Sequence, residues 1–240
     1  MKKGGKRSGG PRTAAEVMAE LESDPTYLAS QKALDVARER DIEQYQVAAR
    51  EVIADLAKQG IVVGAIGDLC VRARPYPEAV PVLARWLPLV QHAELRADLI
   101  RALAVPWAGS AAPLLVREFE AADDPSGTGV RWLLGSAIEA VASQDISEEM
   151  LRLSMNRQYG RAREMVVLGL RKCGGERVID VLMTLLADEQ VAGHAVMALG
   201  DLRAVKAIAS IERFLGHSKQ WVRAEAKKAL GKIARTEGRV

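Results

Sequence analysis

Residues 198–240 read ALGDLRAVKAIASIERFLGHSKQWVRAEAKKALGKIARTEGRV, and this stretch decides the fold. The signal Ala198-Leu199-Gly200 recurs 31 residues later as Ala229-Leu230-Gly231. Each is expected to close an amphipathic helix, and a whole further helix fits between them. A helical signal at this period marks stacked helix pairs. One such pair cannot bury its apolar face alone, so neighbours must cover it.

The register extends upstream. Taking the centre of each second helix gives one column: Leu103, Ile138, Leu170, Leu199 and Leu230. Four residues earlier stand Leu99, Leu134, Val166, Ala195 and Ala226, and eight earlier Leu95, Val130, Ala162, Val191 and Val222. Three residues later come Pro106, Val141, Cys173, Leu202 and Ile233. These offsets fall on one face of a 3.6-residue helix. The residue just before the centre is always small (Ala102, Ala137, Gly169, Ala198, Ala229), which lets neighbouring helices approach closely. First helices fit between these, near 77–87, 112–122, 147–155, 178–187 and 205–215, each with its own apolar stripe.

Upstream of the pairs, Thr13-Ala14-Ala15-Glu16 has the form of a capping box and starts a short helix. Ser23-Asp24-Pro25 stops it and starts another, since proline suits a first helical position. Nothing breaks that second helix before Lys58, and Gly60 suits its C-terminal cap. At 1.5 Å per residue it spans about 50 Å. Its stripe (Leu28, Leu34, Ile42, Tyr45, Ala49, Val52, Ile53, Leu56) is expected to lie along the array or to pair with a partner helix. For residues 61–76 a strand at Ile61–Val63 and a short helix near 65–71 both remain open, because Gly64 and Gly67 interrupt the run. Three segments follow: a disordered basic tail at 1–12, a helical segment at 13–60, and the helix-pair array at 61–240.

Composition narrows the class. Of the residues, 49% are hydrophobic, enough for a core, and no run approaches a membrane span. Cys70 and Cys173 are isolated; they read as small buried residues in a reducing cytoplasm. The net charge of +3 is unevenly spread. Residues 1–12 hold 5 bases and no acid, residues 13–58 are net −5, and residues 205–240 hold 9 bases against 3 acids. The basic tail and the last helix pair could touch phosphates, so nucleic acid stands as an alternative partner.

The pairs at a period near 31 resemble HEAT repeats of the short type associated with phycobilisome lyases. VIDVLMTLLADEQVAGHAVMALGDL and AIASIERFLGHSKQWVRAEAKKALGKIA carry the resemblance best, and it covers about residues 77–235. The order of a long helix, YPEAVPVLARWL and IRALAVP also looks like bacterial HEAT-repeat proteins. The resemblance implies an all-α fold: a right-handed α-solenoid of about five HEAT-like pairs, preceded by a long N-terminal helix. It also implies a protein partner bound on the groove lined by the second helices.

Candidate binding residues come from that register. Arg96, Arg131, Arg163 and Arg223 form a column broken by Ala192. In HEAT repeats such a column commonly makes an interior ladder; an anion-binding stripe is the alternative. Arg101, Arg171, Lys172, Lys228 and Lys232 lie on the polar side of the second helices, interrupted by Glu139 and Asp201. Trp132 falls off the buried face and reads either as an interface anchor or as packing against the next pair. His92, His194 and His217 are isolated and not followed by Glu, unlike the His-Glu pairs of di-iron HEAT-repeat hydroxylases. No metal, cofactor or catalytic residue is expected. An alkylpurine-glycosylase-like nucleic-acid role and a lyase-type accessory subunit stand as alternatives.

Overall fold

The structure, a computed structural model, describes residues 12–71 and 74–237, with side chains through Arg235. The basic segment at 1–12 therefore lies outside the described residues, save Arg12. Twelve α-helices, joined by short 3₁₀ turns, and no strand are found among the described residues. No single helix there is long and apolar enough to cross a membrane. The chain divides into two compact units between Val47 and Ala48.

The first unit holds α1 (Ala14–Ser23) and the larger part of α2 (Pro25–Lys58). The capping box forms: Thr13 Oγ1 accepts from the Glu16 N–H, and Glu16 Oε2 accepts from the Thr13 N–H at 2.9 Å. Asp24 Oδ1 then accepts from the Thr26 N–H at 2.8 Å, opening α2. Leu28, Leu34 and Ile42 are exposed here; the stripe of α2 is buried only at Ala49, Val52 and Leu56 in the second unit. Gly60 ends the helix at φ +77. Ile61 N–H donates to Leu56 O and Gly60 N–H to Ala57 O, the paired bonds of a Schellman cap.

In the second unit, the interrupted run at 61–76 contains a 3₁₀ turn at Ile66–Leu69 that buries Ile66 and Leu69. Cys70, just beyond it, is exposed, whereas Cys173 is buried. Five helix pairs follow. They are α3 (Val80–Trp86) with α4 (Ala93–Leu103), α5 (Ala112–Ala121) with α6 (Val130–Val141), and α7 (Ser147–Met155) with α8 (Arg163–Gly169). Then come α9 (Glu176–Leu185) with α10 (Ala192–Asp201), and α11 (Ile208–Glu212) with α12 (Gln220–Glu237). Each second helix packs on its own first helix and on the second helix of the next pair, from α4 through α12.

The apolar columns build this row. Leu103, Ile138, Leu170 and Leu199 are fully buried, as are all five residues four positions earlier. Each fully buried Leu or Ile contributes roughly 1.5–3 kcal/mol. Leu230 is half-buried, since no described pair follows α12 to cover it. The small-residue column lies where helices touch. A Cβ on Gly169 would meet Glu139 Cα at 3.2 Å, and one on Gly200 would meet Ala229 Cα at 2.6 Å. Gly200 stands one residue from the end of α10, as expected. Gly231 does not close its helix: α12 runs on to Glu237, and among the described residues none after Gly231 adopts a left-handed conformation.

Candidate functional site

The arginine column is spent inside the chain. The guanidinium groups of Arg96, Arg131 and Arg163 reach back to carbonyls at or just past the C-terminal end of the first helix in their own pair, where helical partners are lacking. Arg223 reaches the turn after its first helix. Arg96 Nη1 donates to Leu87 O at 3.2 Å and Arg96 also pairs with Glu118. Arg131 donates to Phe119 O at 3.1 Å, Asp124 O at 3.0 Å and Ala122 O. Arg223 Nη1 donates to His217 O and Ser218 O. Arg163 is fully buried and bonds Ser154 O, Gly160 O, Asp188 Oδ2 and Gln190 Oε1 at 2.9–3.1 Å. Arg131 and Arg163 are thus capping groups, and Arg163 has no surface to offer a ligand.

The loop before α6 is closed by a carboxylate of its own. Asp124 accepts from Ser126 Oγ at 2.6 Å and from the N–H groups of Gly127, Gly129 and Arg131 at 2.9–3.0 Å. Burial pushes the Asp124 carboxyl up, but these hydrogen bonds outweigh burial and hold it below the usual carboxylate range. A depressed folded-state pKa stabilises the fold at neutral pH, and that stabilisation is lost as pH falls through it. Asp124→Ala is therefore expected to lower stability by about 0.5–2 kcal/mol at pH 7. In urea titrations the gap to the parent chain should close in acid; a gap independent of pH would refute the carboxylate's role.

The basic side of the second helices is a ladder of alternating charge. Glu139 accepts from Arg171 at 2.7 Å, Arg171 pairs with Asp201 at 3.3 Å, and Asp201 pairs with Lys232 at 2.5 Å. Lys172 adds a bond to Glu139 O, and Lys228 pairs with Glu225 within α12 at 2.7 Å. The acids that interrupt this face in sequence are the partners of its bases. Exposed pairs of this kind stabilise by less than about 1 kcal/mol each. They also leave little uncompensated charge for phosphates.

What stays open on the second helices is aromatic. Trp132, in the first turn of α6, is 36% exposed, and Trp221, in the first turn of α12, is 44% exposed. Between them lie Glu164 on α8 and His194 on α10, so four successive second helices contribute. Glu164 is nearly buried; its Oε2 accepts from Trp132 Nε1 at 3.4 Å and its Oε1 from Arg161 Nε at 2.8 Å. His194 lies 5.5 Å from the Trp221 ring, centre to centre, and its Nδ1 is buried without a hydrogen-bond partner. Burial pushes the His194 pKa down; Glu164 opposes that shift and Arg161 adds to it. The imidazole is thus held neutral in the physiological range.

Gly193 makes the arrangement possible. A Cβ there would stand 2.1 Å from the Trp221 ring, so only glycine admits the indole against α10. Sequence reasoning found Trp132 but missed Glu164, His194 and Trp221. The available signal was the column six residues before the centre, which reads Trp132, Glu164 and Gly193 in consecutive pairs. An indole arriving from the next pair fills the missing side chain.

A larger cleft of about 1030 Å³ lies elsewhere, between α5 and α7. Its lining includes Pro113, Val116 and Ile146, and the Glu120–Arg152 pair in that lining is satisfied internally. No group of three or more His, Cys, Asp or Glu able to hold a metal ion occurs among the described residues.

No family model matches the chain, and no curated protein matches it. Among solved structures it is similar to two engineered proteins determined by a structural genomics consortium, each at 19% identity. One match covers 71% of this chain and 89% of the other at a TM-score of 0.44; the second covers 71% and 90% at 0.46.

Proposed function

We propose that the chain is a non-enzymatic binding scaffold. Its helix pairs are read as a right-handed HEAT-like solenoid that holds a protein partner in the groove lined by the second helices, in the cytoplasm. The observation that carries this reading is the pair of exposed indoles, Trp132 and Trp221, with Glu164 and His194 between them. Large aromatics that are half in water and held rigidly from below are what interface hot spots are made of. The bases Arg171, Lys228 and Lys232 support it less, because each already holds an acid of this chain. The same holds against a phosphate track: Lys206, Arg223 and Lys232 of the basic last pair also have acceptors in the chain.

The test is affinity capture from the native organism with the parent chain and two variants. Trp132→Ala is the first arm, since its ring supports no glycine contact. It is expected to weaken retention of a specific partner by about tenfold or more, roughly 1.4 kcal/mol. Its melting temperature should stay close to that of the parent. Arg171→Glu, which sets an acid beside Glu139 and Asp201, should lower stability instead. Equal retention by Trp132→Ala and the parent would remove the groove assignment.

A further inference from the structure

We infer that the cleft bounded by α8, α10 and α12 takes a carboxylate of the partner, an Asp or Glu side chain seated on the outward edge of Arg161. This rests on the groove reading above and names the chemistry of its ligand.

The argument starts from how Arg161 is held. Its Nε donates to Glu164 Oε1 at 2.8 Å, and Glu164 is itself only 8% exposed and fixed from the far side by Trp132 Nε1. The Arg161 side chain as a whole remains 60% exposed. Its Nη1 and Nη2 donate to nothing among the described residues. A planar guanidinium tethered through Nε presents its other edge as a fork that matches a carboxylate in bidentate fashion.

Further donors converge on the same cleft, about 370 Å³ in volume. Lys219 Nζ and Trp221 Nε1 have no acceptor among the described residues. Gln190 Oε1 accepts from Arg163, a donor-only group, so the amide Nε2 is the atom left over. Against these stand two acids: Glu164, whose two oxygens are taken, and the exposed Glu189. Without displacing Arg161 from Glu164, a cationic side chain would find only Glu189, which is exposed at the surface. An anionic one need displace nothing. The exposed part of Trp221 flanks the cleft and suits an apolar residue beside the acid.

The experiment pans a random dodecapeptide library, displayed on phage, against the full chain and against Arg161→Ala, Lys219→Ala and Trp132→Ala. Enriched sequences are expected to carry Asp or Glu well above the input. They should lose about tenfold or more in affinity on Arg161→Ala, and a similar factor when their Glu is replaced by Gln. Removing Arg161 leaves Glu164 without its cation, so Arg161→Lys serves as the second variant. It keeps a charge beside Glu164 and should preserve the melting temperature, yet it loses the fork and should still bind the acidic peptides several-fold more weakly. Enrichment of basic or uncharged sequences, or indifference to both Arg161 variants, overturns the carboxylate assignment and leaves the groove reading standing. Enriched sequences that ignore Trp132→Ala, or a library that yields no binder, overturn both.

Discussion

Arg163→Ala is expected to lower the unfolding free energy by about 3–5 kcal/mol, measured as a shift in the urea midpoint at constant m-value. The size follows from what the substitution strands. The carbonyls of Ser154 and Gly160 lose their donor, and Asp188, 9% exposed, loses its buried cation and keeps only the exposed Arg157, at 3.6 Å. A buried charge left without its partner costs far more than the pair contributed by forming. The cavity left by a fully buried arginine adds to the loss. Arg163→Met, which fills much of that volume, should recover the packing part and leave the stranded carboxylate. Arg96→Ala is the natural control: Arg96 is partly exposed and caps a single carbonyl, so its loss should be smaller. Equal effects at Arg96 and Arg163 would mean that burial of the Asp188 pair is not the cause.

The two Ala-Leu-Gly signals are expected to respond in opposite directions to one substitution. At Gly200 an added methyl meets the Ala229 backbone at 2.6 Å, and backbone can yield only if α10 and α12 move apart. Gly200→Ala should therefore destabilise by about 1–3 kcal/mol, the usual range for overpacking. At Gly231 nothing lies within 4 Å, and the residue sits inside α12. Gly231→Ala should stabilise by up to about 1 kcal/mol through helix propensity alone. Thermal unfolding of both variants checks the pair. A shift in the same direction would show that local propensity, not helix contact, governs both sites.

That contrast also shows where sequence reading stops. The helix boundaries were legible because caps are local: Thr13 with Glu16, Pro25 and Gly60 each act within a few residues. The core columns were legible because their spacing matches the helix and each pair repeats it. The all-helical class follows from these alone. Gly200 and Gly231 differ only in what lies across the next helix, and no local signal carries that. The same holds for the charges. Arg171, Lys228 and Lys232 look like a basic face until their acids, up to 32 residues away, are seen beside them. Within the candidate site, Trp132 stood out by its offset from the buried face. Glu164 and His194 did not, because their meaning comes from lying beside an indole supplied by a later pair. The exposure of Leu28, Leu34 and Ile42 was equally hidden: a periodic stripe says which face is apolar and not whether anything covers it.

The break in the arginine column at Ala192 bears on how the protein opens. Every other second helix of that column fastens its own turn, but the turn between α9 and α10 is fastened from outside. Asp188 and Gln190 in that turn are both held by Arg163 of the preceding pair. Neither turn can come loose while the other stays shut without stranding a buried charge. The block from α7 to α10 should therefore unfold as one cooperative unit, with the slowest amides of α8 and α10 exchanging with solvent at matched free energies. The turn of the last pair is fastened by Arg223 to its own carbonyls, so this pair can fray without stranding a buried charge of the block. A groove lined with Trp132, Glu164, His194 and Trp221 would then have its centre on the joined block. One wall, carrying Trp221, would lie on the part that opens first.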